Sequence, residues 1–280
     1  MWMYKIIILK KKPLVTFPIL LCLLAFSVFP SHLFASTIFQ DSFDTGDFSK
    51  WGQKDIGWCC KIEIVPNFFN HTNVAKITYL KNEDRGHLYP PNMKIGYNHL
   101  YMRWYEYFAD GFDFPLTLKT NLVMGANPAT GLNEYEIYII TWGDPLNHSY
   151  DKQATNIGFV QLRAVDKATN SEMKPRAGRW YCIEEELVLN TPGQEDGIMR
   201  LWINGNLLLN NTSANVRGTS TQQMNRMWFG GNYSNSNAGR NPTPDPARPS
   251  YRYMDDFIVT TGERIGCLGE VDIIPPAPPK

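Results

Sequence analysis

The chain has 280 residues, with 27 Lys and Arg against 27 Asp and Glu, a formal net charge of zero, and 43% hydrophobic residues. Four of the lysines fall in the first 35 residues, which carry no acid. The remaining 245 residues hold 23 basic against 27 acidic side chains, a net charge of −4 that argues against nucleic acid as a partner. No internal stretch has linker composition, and single β domains reach roughly 200–250 residues, so one domain is expected.

Lys5, Lys10, Lys11 and Lys12 precede an apolar run over residues 14–29, and Ala35 follows as a small residue for cleavage. This pattern predicts a secretory signal peptide over residues 1–35 and a secreted or periplasmic product. A membrane anchor is the competing assignment, but the run is short for a span and carries Pro18 and Pro30. Short strands are expected over residues 38–43, 62–65 and 74–79, with a turn-rich segment over 44–51 that ends on Trp51. Residues 100–108 alternate Leu100, Met102, Trp104 and Phe108, assigned to the core, against Tyr101, Arg103, Tyr105 and Tyr107 on the other face. Residues 107–134 are read as a long loop carrying Phe112, Phe114 and Lys119, followed by strands over 135–142 and 156–165.

Residues 179–206 carry the most information. Tyr181, Ile183, Leu187 and Leu189 alternate with Cys182, Glu184, Glu186 and Val188, although Glu185 interrupts the apolar row, and Met199, Leu201 and Ile203 alternate with Ile198, Arg200, Trp202 and Asn204. Asn190-Thr-Pro-Gly joins the two strands, and Asn204-Gly205 predicts a tight hairpin. Strands over 227–230 and 253–260 flank a second long loop over 232–250, and Trp104, Trp180 and Trp228 are assigned to the core. Regularly spaced strands with no long helical pattern predict an all-β, two-sheet antiparallel β-sandwich of jelly-roll type over residues 36–268, followed by a Pro-rich C-terminal tail over 269–280.

Outside the leader, Cys59, Cys60, Cys182 and Cys267 permit three disulfide connectivities. Adjacent Cys59 and Cys60 pair poorly with each other, so one of them is expected to join Cys182 or Cys267. A zinc site lacks the paired CxxC spacing. His71, His87, His99 and His148 form no ligand spacing and are read as ordinary surface residues.

The segments DSFDTGDFSKW, FPLTLKTNLVMG, GRWYCIEEELVLNTPGQEDGIMRLWINGN, WFGGN and YMDDFIVTTGERIG together resemble the concanavalin A-like jelly-roll polysaccharide lyases that act on alginate and glucuronan. The resemblance spans most of residues 37–266. It implies a concanavalin A-like fold, a polysaccharide partner and β-elimination on a uronate, with Lys119 at the position of the family's lysine. Such chemistry needs a base for the proton at C5 and a cation or amide for the neighbouring carboxylate. Arg103, Lys119, Tyr138 and Arg163 are the candidate catalytic residues, and Tyr105, Glu136, Trp142 and Gln161 the candidate substrate-binding residues. Arg103 and Arg163 line one surface if their strands lie in the same sheet. No cofactor is required and no metal ligands are assigned among the catalytic residues. Asp255-Asp256 is the candidate for a structural calcium, although neighbouring strand residues point to opposite faces unless a bulge intervenes. Glu134 and Glu136 share a face, as a hydrolase would require, but lack a third acid. The alternative to a lyase is a non-catalytic glycan-binding or adhesion module on the same scaffold. No membrane contact is expected after leader removal.

Overall fold

The computed structural model describes residues 36–55, 61–80, 86–91, 93, 95–115, 117–142, 146–152, 159–166, 168–234 and 249–269. The predicted leader over residues 1–35, residues 270–280 of the predicted C-terminal tail, Cys59 and Cys60, and most of the predicted 232–250 loop lie outside these residues. Among the described residues there are two large antiparallel sheets and no helix.

With strands numbered in chain order, sheet A runs β16 (Asn206–Ala214), β15 (Gly197–Ile203), β14 (Arg179–Val188), β6 (His99–Phe108), β19 (Ser250–Thr260), β4 (His71–Tyr79) and β3 (Lys61–Phe68). β1 (Thr37–Asp41) also pairs with β19. Sheet B runs β11 (Phe159–Arg163), β10 (Leu146–Asp151), β9 (Asn133–Trp142), β8 (Asn121–Ala126), β17 (Arg226–Gly230), β5 (His87–Tyr89) and β2 (Gln53–Asp55). β7 (Thr117–Lys119) pairs with β9 and with β18 (Tyr233–Ser234). β12 (Val165–Asp166) and β13 (Ser171–Glu172) form a separate small ladder.

The predicted alternation positions the core. Leu100, Met102, Trp104 and Phe108 of β6, Ile183 and Leu187 of β14, and Met199, Leu201 and Ile203 of β15 meet Val123, Ile137, Ile139 and Phe229 of sheet B in one apolar layer. The Asn204-Gly205 hairpin is present, with φ of 51° and 79° that match a two-residue turn of the primed type. A Cβ at Gly205 would meet nothing within 4 Å, so Gly205→Ala introduces only left-handed strain. We expect that variant to lose about 1 kcal/mol and to lower Tm by about 2–4 °C in a thermal melt.

Several expectations change. Residues 107–134 are not one loop: β7 and β8 lie within them. All six residues of β8 are buried, because it is an inner strand covered on both faces, and such a strand carries no alternation to read. β10, which no alternation predicts, lies between β9 and β11. Trp104 belongs to the inter-sheet core, but Trp180 packs with Val74, Tyr105, Tyr107 and Cys182 on the outer face of sheet A, and Trp228 packs on the outer face of sheet B. The disulfide joins Cys182 to Cys267, not either of these to Cys59 or Cys60. A bulge between Asp255 and Ile258, with Asp256 at φ 50°, turns both acids toward His71, whose Nδ1 lies 2.7 Å from Asp255 Oδ2 and 3.7 Å from Asp256 Oδ2.

Candidate functional site on the outer face of sheet B

Strand register determines which side chains share the outer face of sheet B. Tyr138 on β9 lies opposite Ser149 on β10, which lies opposite Gln161 on β11. One row along, Lys119 on β7 lies opposite Ile140, then Asn147, then Arg163. In the other direction, Met124 lies opposite Glu136 and then Asp151. The two-residue period therefore brings Lys119, Glu136, Tyr138, Gln161 and Arg163 to one face. Trp142 closes β9 opposite Thr117 in register, and its side chain lies outside the described residues.

The floor of this face is a second apolar cluster, separate from the core: Leu122, Met124, Tyr138, Ile140 and Trp228, with Tyr89 against it. Lys119 Nζ stands 4.3 Å from the centre of the Tyr138 ring and 6.0 Å from that of Trp228. The His87 ring tilts against Trp228 at 4.2 Å, and the Tyr89 hydroxyl lies 3.2 Å from His87 Nδ1. His87 is thus a buried member of the patch and not a surface histidine. Asn147, Ser149 and Asp151 are buried polar residues of the same face that the sequence reading passed over together with their strand.

Burial shifts the two central groups in opposite directions. It holds the Lys119 amine below the ordinary lysine range, against the pull of Glu136 and Asp151, which favour the charged form. It pushes the Tyr138 hydroxyl well above the ordinary tyrosine range, and the same two carboxylates add to that rise. Glu136 Oε1 accepts a hydrogen bond from Asn133 Nδ2 at 2.9 Å. Among the described residues no carboxylate forms an ion pair with Lys119. An amine that loses its proton more readily than an ordinary lysine can act as a base, and a neighbouring phenol that keeps its own can donate it.

The main chain around Lys119 is held closely. Its N–H donates to Asn232 O at 3.1 Å, and the neighbouring Thr120 N–H donates to Ile139 O at 2.9 Å. Gly230 N–H donates to Thr120 O at 2.9 Å. Gly231, at φ 150°, comes so close that a Cβ there would stand 2.6 Å from Lys119 O and 2.8 Å from Lys119 Cβ. Gly231, the second glycine of WFGGN, is therefore required by the approach of this strand end to the lysine, whereas a Cβ at Gly230 would run into the main-chain oxygen of Gly86.

The remaining candidates are placed elsewhere. Arg103 and Tyr105 lie on β6, in sheet A, so the expected surface shared by Arg103 and Arg163 does not exist. Arg103 donates to Gly266 O at 3.2 Å and Asp256 O at 3.4 Å, and the Tyr105 hydroxyl donates to Leu268 O at 3.2 Å. Both hold the C-terminal segment against the outer face of sheet A. Alternation had fixed which residues accompany Arg103 on its strand, but not which sheet that strand joins. Arg163 is exposed and ion-paired with Glu172, three strand spacings from Lys119, or about 14 Å at the backbone.

No protein-family model matches this sequence, and no curated protein does. In structure the chain is similar to an endo-β-1,4-glucuronan lyase from the fungus Trichoderma reesei (15% identity over 81% of this chain and 96% of that one, TM-score 0.58). It is similar to a PL-14 alginate lyase from Aplysia kurodai (15% identity, 80% and 98% covered, TM-score 0.58) and to alginate lyase vAL-1 from a Chlorella virus (16% identity, 80% and 99% covered, TM-score 0.53). At such identities the likeness establishes architecture: the chain has the jelly-roll fold of the polysaccharide lyases.

Proposed function

We propose that the protein is an exported polysaccharide lyase that cleaves a uronate-containing polymer by β-elimination on the outer face of sheet B. The observation that carries this is the Lys119 amine, 4.3 Å over the Tyr138 ring in an apolar patch, with its pKa lowered and that of Tyr138 raised. The neutral Lys119 amine takes the proton from C5 of a uronate. The C5–H electron pair becomes the C4=C5 double bond, the C4–O4 bond breaks, and the departing O4 takes the Tyr138 proton. The buried Asn147, in the same register row as Lys119, supplies an amide for the uronate carboxylate as charge builds on it. Arg163, about three strand spacings from the lysine, contacts a neighbouring sugar unit. Export is supported by the leader pattern and by the Cys182–Cys267 disulfide.

Elimination creates an unsaturated uronate that absorbs in the ultraviolet. We expect absorbance to rise when the protein is incubated with glucuronan or alginate, and to rise at least about tenfold more slowly with Tyr138→Phe, which keeps the ring under Lys119 but removes the acid. Retention on a polyuronate column with no absorbance change would replace the lyase by a glycan-binding module.

One observation favours a second chemistry. Glu136 and Asp151 face each other directly across β9 and β10, where opposed Cβ atoms stand about 4.5–5.5 Å apart, and hydrolases use carboxylate pairs at about 5–10 Å. New reducing ends without ultraviolet absorbance, lost in Glu136→Gln, would select hydrolysis.

A further inference from the structure

Three charged residues point into the core from sheet A, where apolar side chains would pack at lower desolvation cost. Arg252 on β19 and Glu106 on β6 form an ion pair with both side chains fully buried, Nε lying 2.6 Å from Oε1. Glu185 on β14, the acid that breaks the apolar alternation, accepts from Asn121 Nδ2 at 2.5 Å. Each contact leads across the sandwich to the same few residues of sheet B. Arg252 Nη1 donates to the main-chain oxygen of Lys119 at 3.0 Å. Asn121 Oδ1 accepts from the Ile139 N–H at 2.9 Å. The Tyr79 hydroxyl, 3.4 Å from Arg252 Nη1, donates to Gly231 O at 3.3 Å, the residue that touches Lys119 from its other side. On the Glu106 side, Trp104 Nε1 donates to Oε2 at 3.3 Å, so the carboxylate that orients Arg252 is itself fixed.

We propose that Arg252, oriented by Glu106, is a positioning residue for Lys119: from the opposite sheet it fixes the lysine's main chain, so that the amine is presented over Tyr138 in one place. A planar guanidinium suits this task, because Nε can serve Glu106 while Nη1 serves the carbonyl and Tyr79. Lysine at position 252 would offer a single point charge and could not span all three. The inference rests on Lys119 being the group that reacts.

The test separates the position of Lys119 from its chemistry. Arg252→Gln leaves Glu106 buried and unpaired and is prone to misfold. Arg252→Met/Glu106→Leu removes both charges together, which buried pairs generally tolerate. Labelling of lysine amines in the purified protein as a function of pH, followed residue by residue in peptides by mass spectrometry, reports the titration of Lys119, with exposed Lys61 as the internal control. In the double variant we expect the Lys119 midpoint to rise by about one pH unit as the amine gains access to water, with Lys61 unmoved. We expect kcat for elimination to fall about 10–100-fold with KM within about twofold, as a misplaced but still present base requires. Arg252→Lys is expected to recover part of both effects. A folded double variant with an unchanged Lys119 midpoint overturns the proposal. A shifted midpoint in a protein that never eliminates keeps the positioning role and discards the lyase.

Discussion

We expect Lys119→Ala to lower kcat/KM for the proposed elimination by about 10²–10⁴-fold, the usual contribution of a positioned base, while the folded protein persists. If Lys119 and Tyr138 react as proposed, the pH profile carries the more specific signature. Burial lowers the lysine pKa, so the acid limb of kcat/KM lies below the range of an ordinary lysine. Burial and the nearby Glu136 and Asp151 carboxylates raise the Tyr138 pKa, so the alkaline limb lies above that of an ordinary tyrosine. Tyr138→Phe removes the alkaline limb and leaves the acid one. Stability moves in the opposite direction to activity. A lysine whose folded pKa is depressed penalises the native state at every pH below that pKa, and the penalty fades as pH rises toward the unfolded value. Lys119→Met should therefore raise Tm at neutral pH, with the gain shrinking as the solution becomes more alkaline. Full activity in the alanine variant, or a methionine variant less stable than the parent, would remove the lysine from the mechanism.

How much of this could be read from the sequence depended on whether the two faces of a strand differ in polarity. Residues 179–206 were legible because the inward positions of β14 and β15 are mostly apolar while Glu184, Glu186 and Arg200 mark the other face, and because Asn204-Gly205 suits a turn with two positive φ values. β8 was illegible for the converse reason: NLVMGA is buried throughout and offers no period. β10, LNHSYD, was missed because its outer-face residues Asn147, Ser149 and Asp151 are polar though buried, and such a run resembles a loop in composition. Lys119 and Tyr138 were both identified, yet their proximity follows from the pairing of β7 with β9, a contact between segments whose register no local pattern specifies. Arg103 was misplaced for the same reason. Glu106, Glu185 and Arg252 are the informative exceptions, because each violates the inward apolar rule at a point where the opposite sheet carries the lysine segment.

The second large effect concerns the opposite face of the molecule. Cys182→Ser/Cys267→Ser removes a cross-link between residues 85 apart in sequence, which in the chain-entropy account costs about 4–5 kcal/mol and lowers Tm by roughly 10–20 °C in a domain of this size. The bond anchors the segment that follows the last strand. Just beyond the last strand, Arg264 pairs with Glu184, Gly266 N–H donates to Glu184 Oε1 at 2.6 Å, and Arg103 and Tyr105 hold the main-chain oxygens of Gly266 and Leu268. Once the cross-link is cut, these contacts must restrain the segment alone, against its full conformational entropy. Lys119 and Tyr138 lie on the outer face of the other sheet, so below the lowered Tm the variant should retain its elimination rate within about twofold. Thermal melts with and without reductant, together with peptide mapping of the oxidised protein, check this. A Tm unmoved by reductant, or mapped peptides joining Cys59 or Cys60 to Cys182 or Cys267, would show that a different pair closes the domain.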